Sequence, residues 1–380
     1  MRRPASPAPG PWARTLLVSL LLSAGAVAAT AAPLYTLVDL GSLTQAQVPV
    51  VRGPNSQGHA GGSGRPDGAR DGGGRRGLVF DGGGLSAQQV EGLAGLDDPA
   101  VFGMNDSGAF VGSANAGSTV RAFAGSRTGG LRELPPLSGD NASVAFGING
   151  PGEAVGFSSG ASGERAVLWD ASGRPGALPS VAGALGSRAH DISSRGDVAG
   201  AAVAAAGKLP VLWPRGLPAL PLQLIPGDAN GEASAVNGRG EAAGYTANAA
   251  GTIRHAALWA ATGEVTSLGA LPGGEFSEAL GVNDAGAVVG TATGSAGVRA
   301  FLWTRAGGMQ DLNSLVPPAR MVLTKATGIN NAGAIVALGH DPAAGAAGGH
   351  AQGDDDAHGH GPAQHSHGPV RVFLLRPVRP

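Results

Sequence analysis

A unit of about 45 residues recurs seven times along this chain, and its ends are cut so that they complete each other. The unit reads approximately Ala-x-Gly-Ile-Asn-x-x-Gly-x-Val-Val-Gly, then Ala-Phe-Leu-Trp, then x-Leu-Gly-x-Leu. Its anchor falls at Asn55/Gly58, Asn105/Gly108, Asn149/Gly152, Ser193/Gly196, Asn237/Gly240, Asn283/Gly286 and Asn330/Gly333. After a first interval of 50 residues the anchors follow at 44, 44, 44, 46 and 47. A fixed period of this length marks solenoids, propellers or arrays, because a single unit cannot bury its apolar face alone.

The unit from Ala279 to Leu315 is the clearest. Ala279 to Val282 alternates with the period of a strand. Asn283-Asp284-Ala285-Gly286 places Asn first and Gly fourth, as a type I turn prefers, and Ser193 keeps that chemistry in the fourth unit. Ala287 to Thr291 predicts a second strand, Ala300 to Trp303 a third and Gln310 to Leu315 a fourth. Four short antiparallel strands with Gly-rich turns are the content of a propeller blade. The fourth-strand signature also occurs once before any complete unit, in Asp39-Leu40-Gly41-Ser42-Leu43, whereas the last unit stops after its third strand, Val372-Phe373-Leu374-Leu375. An offset of this kind serves a ring, since pairing the two terminal strands hides both open edges. The expected fold is therefore all-β: a seven-bladed β-propeller closed by Tyr35 to Leu43 lying beside Val372 to Leu375.

Trp169, Trp213, Trp259 and Trp303 share one repeat position, taken by Phe80, Gly125 and Leu375 in the first, second and last units. A row of exposed rings would bind sugar by stacking. The apolar neighbours Leu168, Leu212, Leu258 and Leu302 favour rings that fill the wedges between blades.

The combination Ile-Asn-x-x-Gly-x-Val-Val-Gly followed by Ala-Phe-Leu-Trp resembles the HAF-repeat family of predicted extracellular bacterial proteins. The nearest approaches to the family's His-Ala-Phe tripeptide are His255-Ala256-Ala257-Leu258-Trp259, Arg299-Ala300-Phe301-Leu302-Trp303 and Arg121-Ala122-Phe123; no unit keeps all three residues, and the resemblance rests on the unit as a whole. The resemblance runs from about Leu34 onward. It implies export and a repeat architecture, and it transfers no catalytic residue.

Arg2, Arg3 and Arg14 precede an apolar run from Leu16 to Ala29, and small residues follow, the layout of a cleaved secretory signal. Residues 1–31 are read as that signal and 32–380 as one propeller domain. The run is shorter than the roughly 20 residues that span a bilayer, so no stable membrane insertion is expected after cleavage, and the mature protein is expected in the periplasm or outside the cell. There is no cysteine, which excludes disulfides, thiolate metal sites and a cysteine nucleophile. A net charge of -1 gives no electrostatic case for nucleic acid.

Two stretches break the period. Residues 52–77, rich in Gly, Arg and Asp, read as a flexible excursion of the first blade. Its Gly61-Gly62-Ser63-Gly64-Arg65-Pro66 resembles a calcium-binding nonapeptide only superficially, because Pro66 stands where the ligand Asp belongs. The second insertion, 340–368, holds six of the nine histidines beside Asp354-Asp355-Asp356. His350, His358, His360, His365 and His367 are the candidate metal ligands, with His340 at the start. Imidazole and carboxylate suit zinc, nickel or copper, and the Gly- and Ala-rich surroundings offer weak, exchangeable binding rather than a catalytic centre. The chain requires no cofactor on this reading.

Catalytic patterns are sparse. His59, His190 and His255 occupy unrelated repeat positions, and no nucleophile elbow is present. Glu153, Asp197 and Glu241 share one position just after the turn Gly, on three successive blades, and read as charged turns facing water. Packed sheets lie about 10 Å apart, at or beyond the roughly 5–9.5 Å of glycosidase carboxylate pairs. The leading functional reading is an exported, monomeric, non-enzymatic scaffold for a protein or glycan, by fold-level analogy. The alternatives are an envelope metal-binding protein acting through the His-rich loop, and a hydrolase or lyase acting on polysaccharide. The last requires a cluster of carboxylates or basic residues in the central funnel, against which scarce charge and two tyrosines count. Deleting residues 340–368 should abolish zinc, nickel and copper uptake in a calorimetric titration and leave the fold intact; uptake unchanged by the deletion would reduce the histidines to loop filler.

Overall fold

The computed structural model describes residues 34–44, 50–66, 76–83, 87–90, 95–127, 129–343 and 370–378. The segment read as a signal peptide and the histidines from His350 to His367 lie outside these residues. Each repeat forms four antiparallel strands, and seven such blades make the ring. Blade 1 covers residues 50–90, blade 2 97–134, blade 3 140–177, blade 4 186–221, blade 5 230–267 and blade 6 277–311. Blade 7 takes two inner strands, Val322–Ile329 and Ile335–His340, and a third, Val370–Pro377. Its outermost strand is Tyr35–Thr44 from the opposite end of the chain, in register from Tyr35 opposite Pro377 to Leu43 opposite Val370. The closure expected from the orphan signature is thus the one observed.

The Asn-x-x-Gly segment connects the innermost strand of each blade to the second. In blade 6 the Asn283 carbonyl accepts the Gly286 N–H at 2.9 Å, and the Ala287 carbonyl accepts the Asn283 N–H at 3.1 Å. Gly286 sits at φ +75°, where a side chain would be strained. This is a type I turn closed by a left-handed Gly, a common three-residue hairpin connection. The Asn283 side chain completes it: Oδ1 accepts from the N–H groups of Ala285 and Ala287 at 3.1 and 3.0 Å.

Its amide nitrogen then does something the turn does not need. Asn283 Nδ2 donates to the Asn330 carbonyl of the next blade at 3.1 Å. The same step runs from Asn55 to Asn105, Asn105 to Asn149, Asn237 to Asn283, and Asn330 back to Asn55. Five of the seven joints around the channel therefore carry this bond, including the seam between the ends of the chain. Innermost strands approach so closely that a Cβ on Gly328 would run into the Gly53 carbonyl oxygen.

The core lies in the wedges between blades. Trp169, Trp213 and Trp259 are fully buried and Trp303 is 8% exposed, so these rings are core, as their Leu neighbours predict. Three of the indoles also donate Nε1–H to a backbone carbonyl of the preceding blade: Trp169 to Pro135, Trp213 to Pro179 and Trp259 to Gln223, at 2.7–2.8 Å. Where the second unit has Gly125, the Phe110 ring and Leu131 occupy the space. The seam has its own wedge, in which Leu40, Val372 and Leu374 from the chain ends pack with Val51, Leu78 and Phe80 of blade 1.

Two expectations need correction. In blade 6 the fourth strand, Gly308–Asp311, stops before the Leu-x-x-Leu signature, and Leu312–Ser314 turns into a 3-10 helix capped by the Asp311 carboxylate, whereas in blade 7 the fourth strand, Tyr35–Thr44, runs through its signature. Residues 52–77 are not one excursion, because Ala60–Pro66 is the second strand of blade 1 and its third begins at Arg76; only 67–75 fall outside the described residues.

Replacing Asn283 by Ser should keep the turn, as Ser193 does in blade 4, and lose only the bond to Asn330. The expected cost is about 1–2 kcal/mol, the usual range for one buried hydrogen bond. Asn283→Asp, which also turns a carboxylate toward that carbonyl, should cost more. Denaturant midpoints for both variants equal to the parent's would show that these bonds do not stabilise the ring.

Candidate functional site

The innermost strands share one unbroken buried column. Four residues before each Asn or Ser anchor stand Val51, Val101, Ala145, Ala189, Ala233, Ala279 and Ala326, all buried in the wedges. Their neighbours on either side therefore face the channel. Three before the anchor these are Arg52, Phe102, Phe146, His190, Ser234, Leu280 and Thr327, and five before it the sequence has Arg188, Glu232, Glu278 and Lys325 in blades 4 to 7. In blades 2 to 7 the strand pairing slips at the first of these columns, for instance between Ala189 and Asp191 and between Ala279 and Gly281. Such bulges re-aim the unpaired side chain.

The channel wall is divided. Blades 2 and 3 give an aromatic arc, with Phe102 and Phe146 centroids 5.5 Å apart and Phe157 5.9 Å from Phe146. The His190 ring meets Phe146 edge-on at 5.9 Å. Blades 4 to 7 and blade 1 give a charged arc. Glu232 accepts from Lys208 Nζ at 2.6 Å and from the Tyr245 hydroxyl at 2.8 Å. Burial works against its charge, but these two bonds, the Lys208 charge and the nearby His190 hold its carboxyl down to about 2. Burial and the Glu232 charge push the Tyr245 hydroxyl up. Arg254 pairs with Glu278 at 2.9 Å and lies 4.2 Å above the Tyr245 ring.

Arg254 is 7% exposed, and among the described residues its buried Nε–H finds no acceptor, as is also true of Arg165 Nε in blade 3. His190 Nδ1 lies 3.2 Å from the Ala233 carbonyl. A carbonyl can only accept, so Nδ1 carries a proton. Nε2 lies 3.8 Å from Glu232 Oε2. Burial lowers the His190 pKa, with Glu232 opposing.

Asp191 stands where five other blades have Gly. It accepts the Ile192 N–H at 2.9 Å and, across the joint, the Val236 N–H of blade 5 at 3.0 Å. Part of its surface opens on the channel, yet protein surrounds it. Burial pushes its carboxyl up to about 6 against those two bonds and the Arg52 charge.

Other candidates resolve into struts. Glu153, Asp197 and Glu241 are not turns facing water: their side chains are 14, 9 and 14% exposed beneath guanidinium groups. Arg215 of blade 4 reaches back to grip both oxygens of Glu153 at 2.9 Å. That grip, with the Asn149 bond, lowers the Glu153 pKa. Arg305 of blade 6 similarly reaches Glu241 of blade 5 at 2.9 Å. His255, Asp228 and Thr246 look like a catalytic relay, with His255 Nδ1 2.8 Å from the carboxylate. Blade 3 builds the same frame from Arg165, Asp140 and Ser158, so the relay is a loop fastener. His59 contacts Arg127 at 3.0 Å. Among the metal candidates, His340 ends the second strand of blade 7; His350, His358, His360, His365 and His367 lie outside the described residues. Among the described residues no three His, Asp or Glu side chains are placed to hold a metal ion, and no helix is long and apolar enough to cross a membrane.

Likeness to solved structures reaches the fold and stops there. A streptogramin B lyase matches with a TM-score of 0.52 and 11% identity, over 90% of this chain and 98% of that one. Virginiamycin B lyase from Staphylococcus aureus matches with 0.51 and 10%, over 90% and 100%. TolB from Acinetobacter baumannii is more distant, at 0.44 and 12%, and this chain spans 58% of it. No protein-family model and no curated protein sequence matches the chain.

Asp191 also predicts a pH dependence. Its folded pKa is raised above the usual 3.8 to about 6, so its contribution to stability is full below about 3.8 and lost as pH rises through 6. Two units correspond to at most about 3 kcal/mol. The difference in unfolding free energy between the parent and Asp191→Asn should shift in the parent's favour as pH falls from 7.5 to 4. A difference that stays flat across that window would remove Asp191 as the titrating group.

Proposed function

We propose that the protein is an exported binding propeller that takes its ligand, a glycan or a protein segment, into the central funnel. The observation that carries this reading is the divided channel wall, in which the Phe102–Phe146–Phe157 arc stands beside the Lys208–Glu232–Tyr245 and Arg254–Glu278 groups. A ligand carrying apolar surface and hydrogen-bonding groups together would match such a wall. Apolar surface beside polar groups is the usual composition of a binding pocket. The leader-like residues 1–31 and the resemblance to the HAF-repeat family support export.

A second reading, hydrolase or lyase action on polysaccharide, is favoured by one observation. An imidazole 3.8 Å from a carboxylate that itself holds a phenol is a set of acid–base groups. It uses the same funnel and differs only in whether the ligand is consumed.

Glycan and peptide arrays probed with the purified protein test the site. Phe146→Ala and Glu232→Gln should each weaken binding at least tenfold, while Arg305→Ala, on the face of the Asn turns, should leave it unchanged. Equal binding by all three variants would move the site out of the funnel. Chromatography of the bound glycan after incubation separates the readings, since cleavage products favour catalysis and recovery of intact glycan favours a scaffold.

A further inference from the structure

The outer edges of the blades are unequal. In blades 1 to 6 the outermost strand has only two to four residues, and those of blades 3 and 4 contain Pro175 and Pro221. Short strands and proline keep an edge from pairing with another chain. Blade 7 has neither safeguard: its outermost strand, Tyr35–Thr44, has ten residues, no proline and no lysine or arginine. Its one charge, Asp39, is taken by Arg371 of the neighbouring strand at 2.9 Å. Alternate residues of an antiparallel strand turn their backbone groups toward the partner strand and away from it. Tyr35 turns away, since its N–H donates to the Leu315 carbonyl at 3.0 Å. Leu37 and Asp39 turn the same way, ahead of the register slip between Asp39 and Gly41. Their outward N–H and C=O groups have no partner among the described residues. Farther on, Leu43 and Thr44 pair with blade 1.

The surface beside this open stretch is apolar. Residues 316–321 continue from the Leu315 carbonyl and enclose, with Leu37, a cavity of about 210 Å³ lined by Val316, Pro317, Pro318 and Met321, with Arg299 in its wall. At the start of the strand Leu34 and Val378 are 56 and 47% exposed and share a backbone bond at 2.8 Å. Arg320 of the same loop is exposed and has no ion pair among the described residues. The edge thus offers unpaired backbone groups, a seat for an apolar side chain and a cation without a counter-charge. We propose that blade 7 takes a fifth strand here, an extended acidic segment of a partner protein. Its backbone pairs with Leu37 and Asp39, continuing the bond that Leu315 makes to Tyr35. One apolar side chain enters the cavity beside Leu37, and a carboxylate meets Arg320. In strand addition of this kind main-chain bonds supply affinity, and side-chain pockets supply specificity. The edge is separate from the funnel and does not depend on it.

Random nine-residue peptides displayed on phage and selected on the whole protein supply the probes, and calorimetry measures the best binders. These should alternate apolar with polar residues and carry a Glu or Asp beside the alternating run. Methylating alternate backbone amides of such a peptide should weaken binding at least tenfold. So should Leu37→Pro, which removes an outward N–H and no bond to Val370–Pro377, and Met321→Lys, which brings a charge into the cavity; both should melt near the parent's midpoint. Arg320→Glu should favour peptides in which Lys replaces the acid. Were Leu37→Pro to unfold the ring, the methylated peptides would read the same bonds from the other side. Selection of no binder, binding indifferent to amide methylation, or binding lost with Phe146→Ala in the funnel would overturn the proposal. So would a dimer in sedimentation that Leu37→Pro dissolves, since the strand on this edge would then belong to a second copy.

Discussion

One side chain per repeat holds both levels of this architecture. The Asn that closes a turn with its carbonyl oxygen also donates its amide to the next blade's backbone. Local hairpin geometry and the angle between neighbouring blades are therefore fixed by the same few atoms. A closed ring tolerates little error in that angle, because small deviations add up around the circle. The bond from Asn330 to Asn55 shows that the sum closes.

The ring is interrupted where the polar groups of the funnel are densest. Asn149 turns its amide to Glu153 instead of the next blade, and Ser193 has no amide to give. Two other links span these joints. Arg215 grips Glu153 across the joint between blades 3 and 4, and Asp191 accepts the Val236 N–H across the joint between blades 4 and 5. Blade 4 has thus exchanged the repeat's neutral fastening for charged ones, and it carries Arg188, His190 and Asp191 on one strand. Departures of this kind from a local rule mark functional positions more often than structural ones.

The period, the offset ends and the Trp column made the fold legible because a repeat states the same constraint seven times. Asn283, Trp213 and Gly286 each have six counterparts against which to be read. The funnel was legible only in reverse. Arg52, His190, Glu232, Glu278 and Lys325 occupy two columns in which no residue type is held around the ring, so a search for shared chemistry passes over them. Their signal was charge and polarity in the two columns that flank an unbroken column of Ala and Val. Glu153, Asp197 and Glu241 did repeat, and were misread for a related reason: Arg215 and Arg305, which reach Glu153 and Glu241 from another blade, lie 62 and 64 residues away.

The last blade is assembled from strands about 330 residues apart in the chain. Six blades can form while synthesis proceeds, but the seventh has to wait for the far end to emerge. Until then Leu40 on one side and Ala337 on the other border an unfinished sheet. Completion of the ring is thus a report on the whole chain, and a product ending before Val370 could not close it. A molecule with no cysteine to lock a partial state carries in this seam its own test that both terminal strands are present.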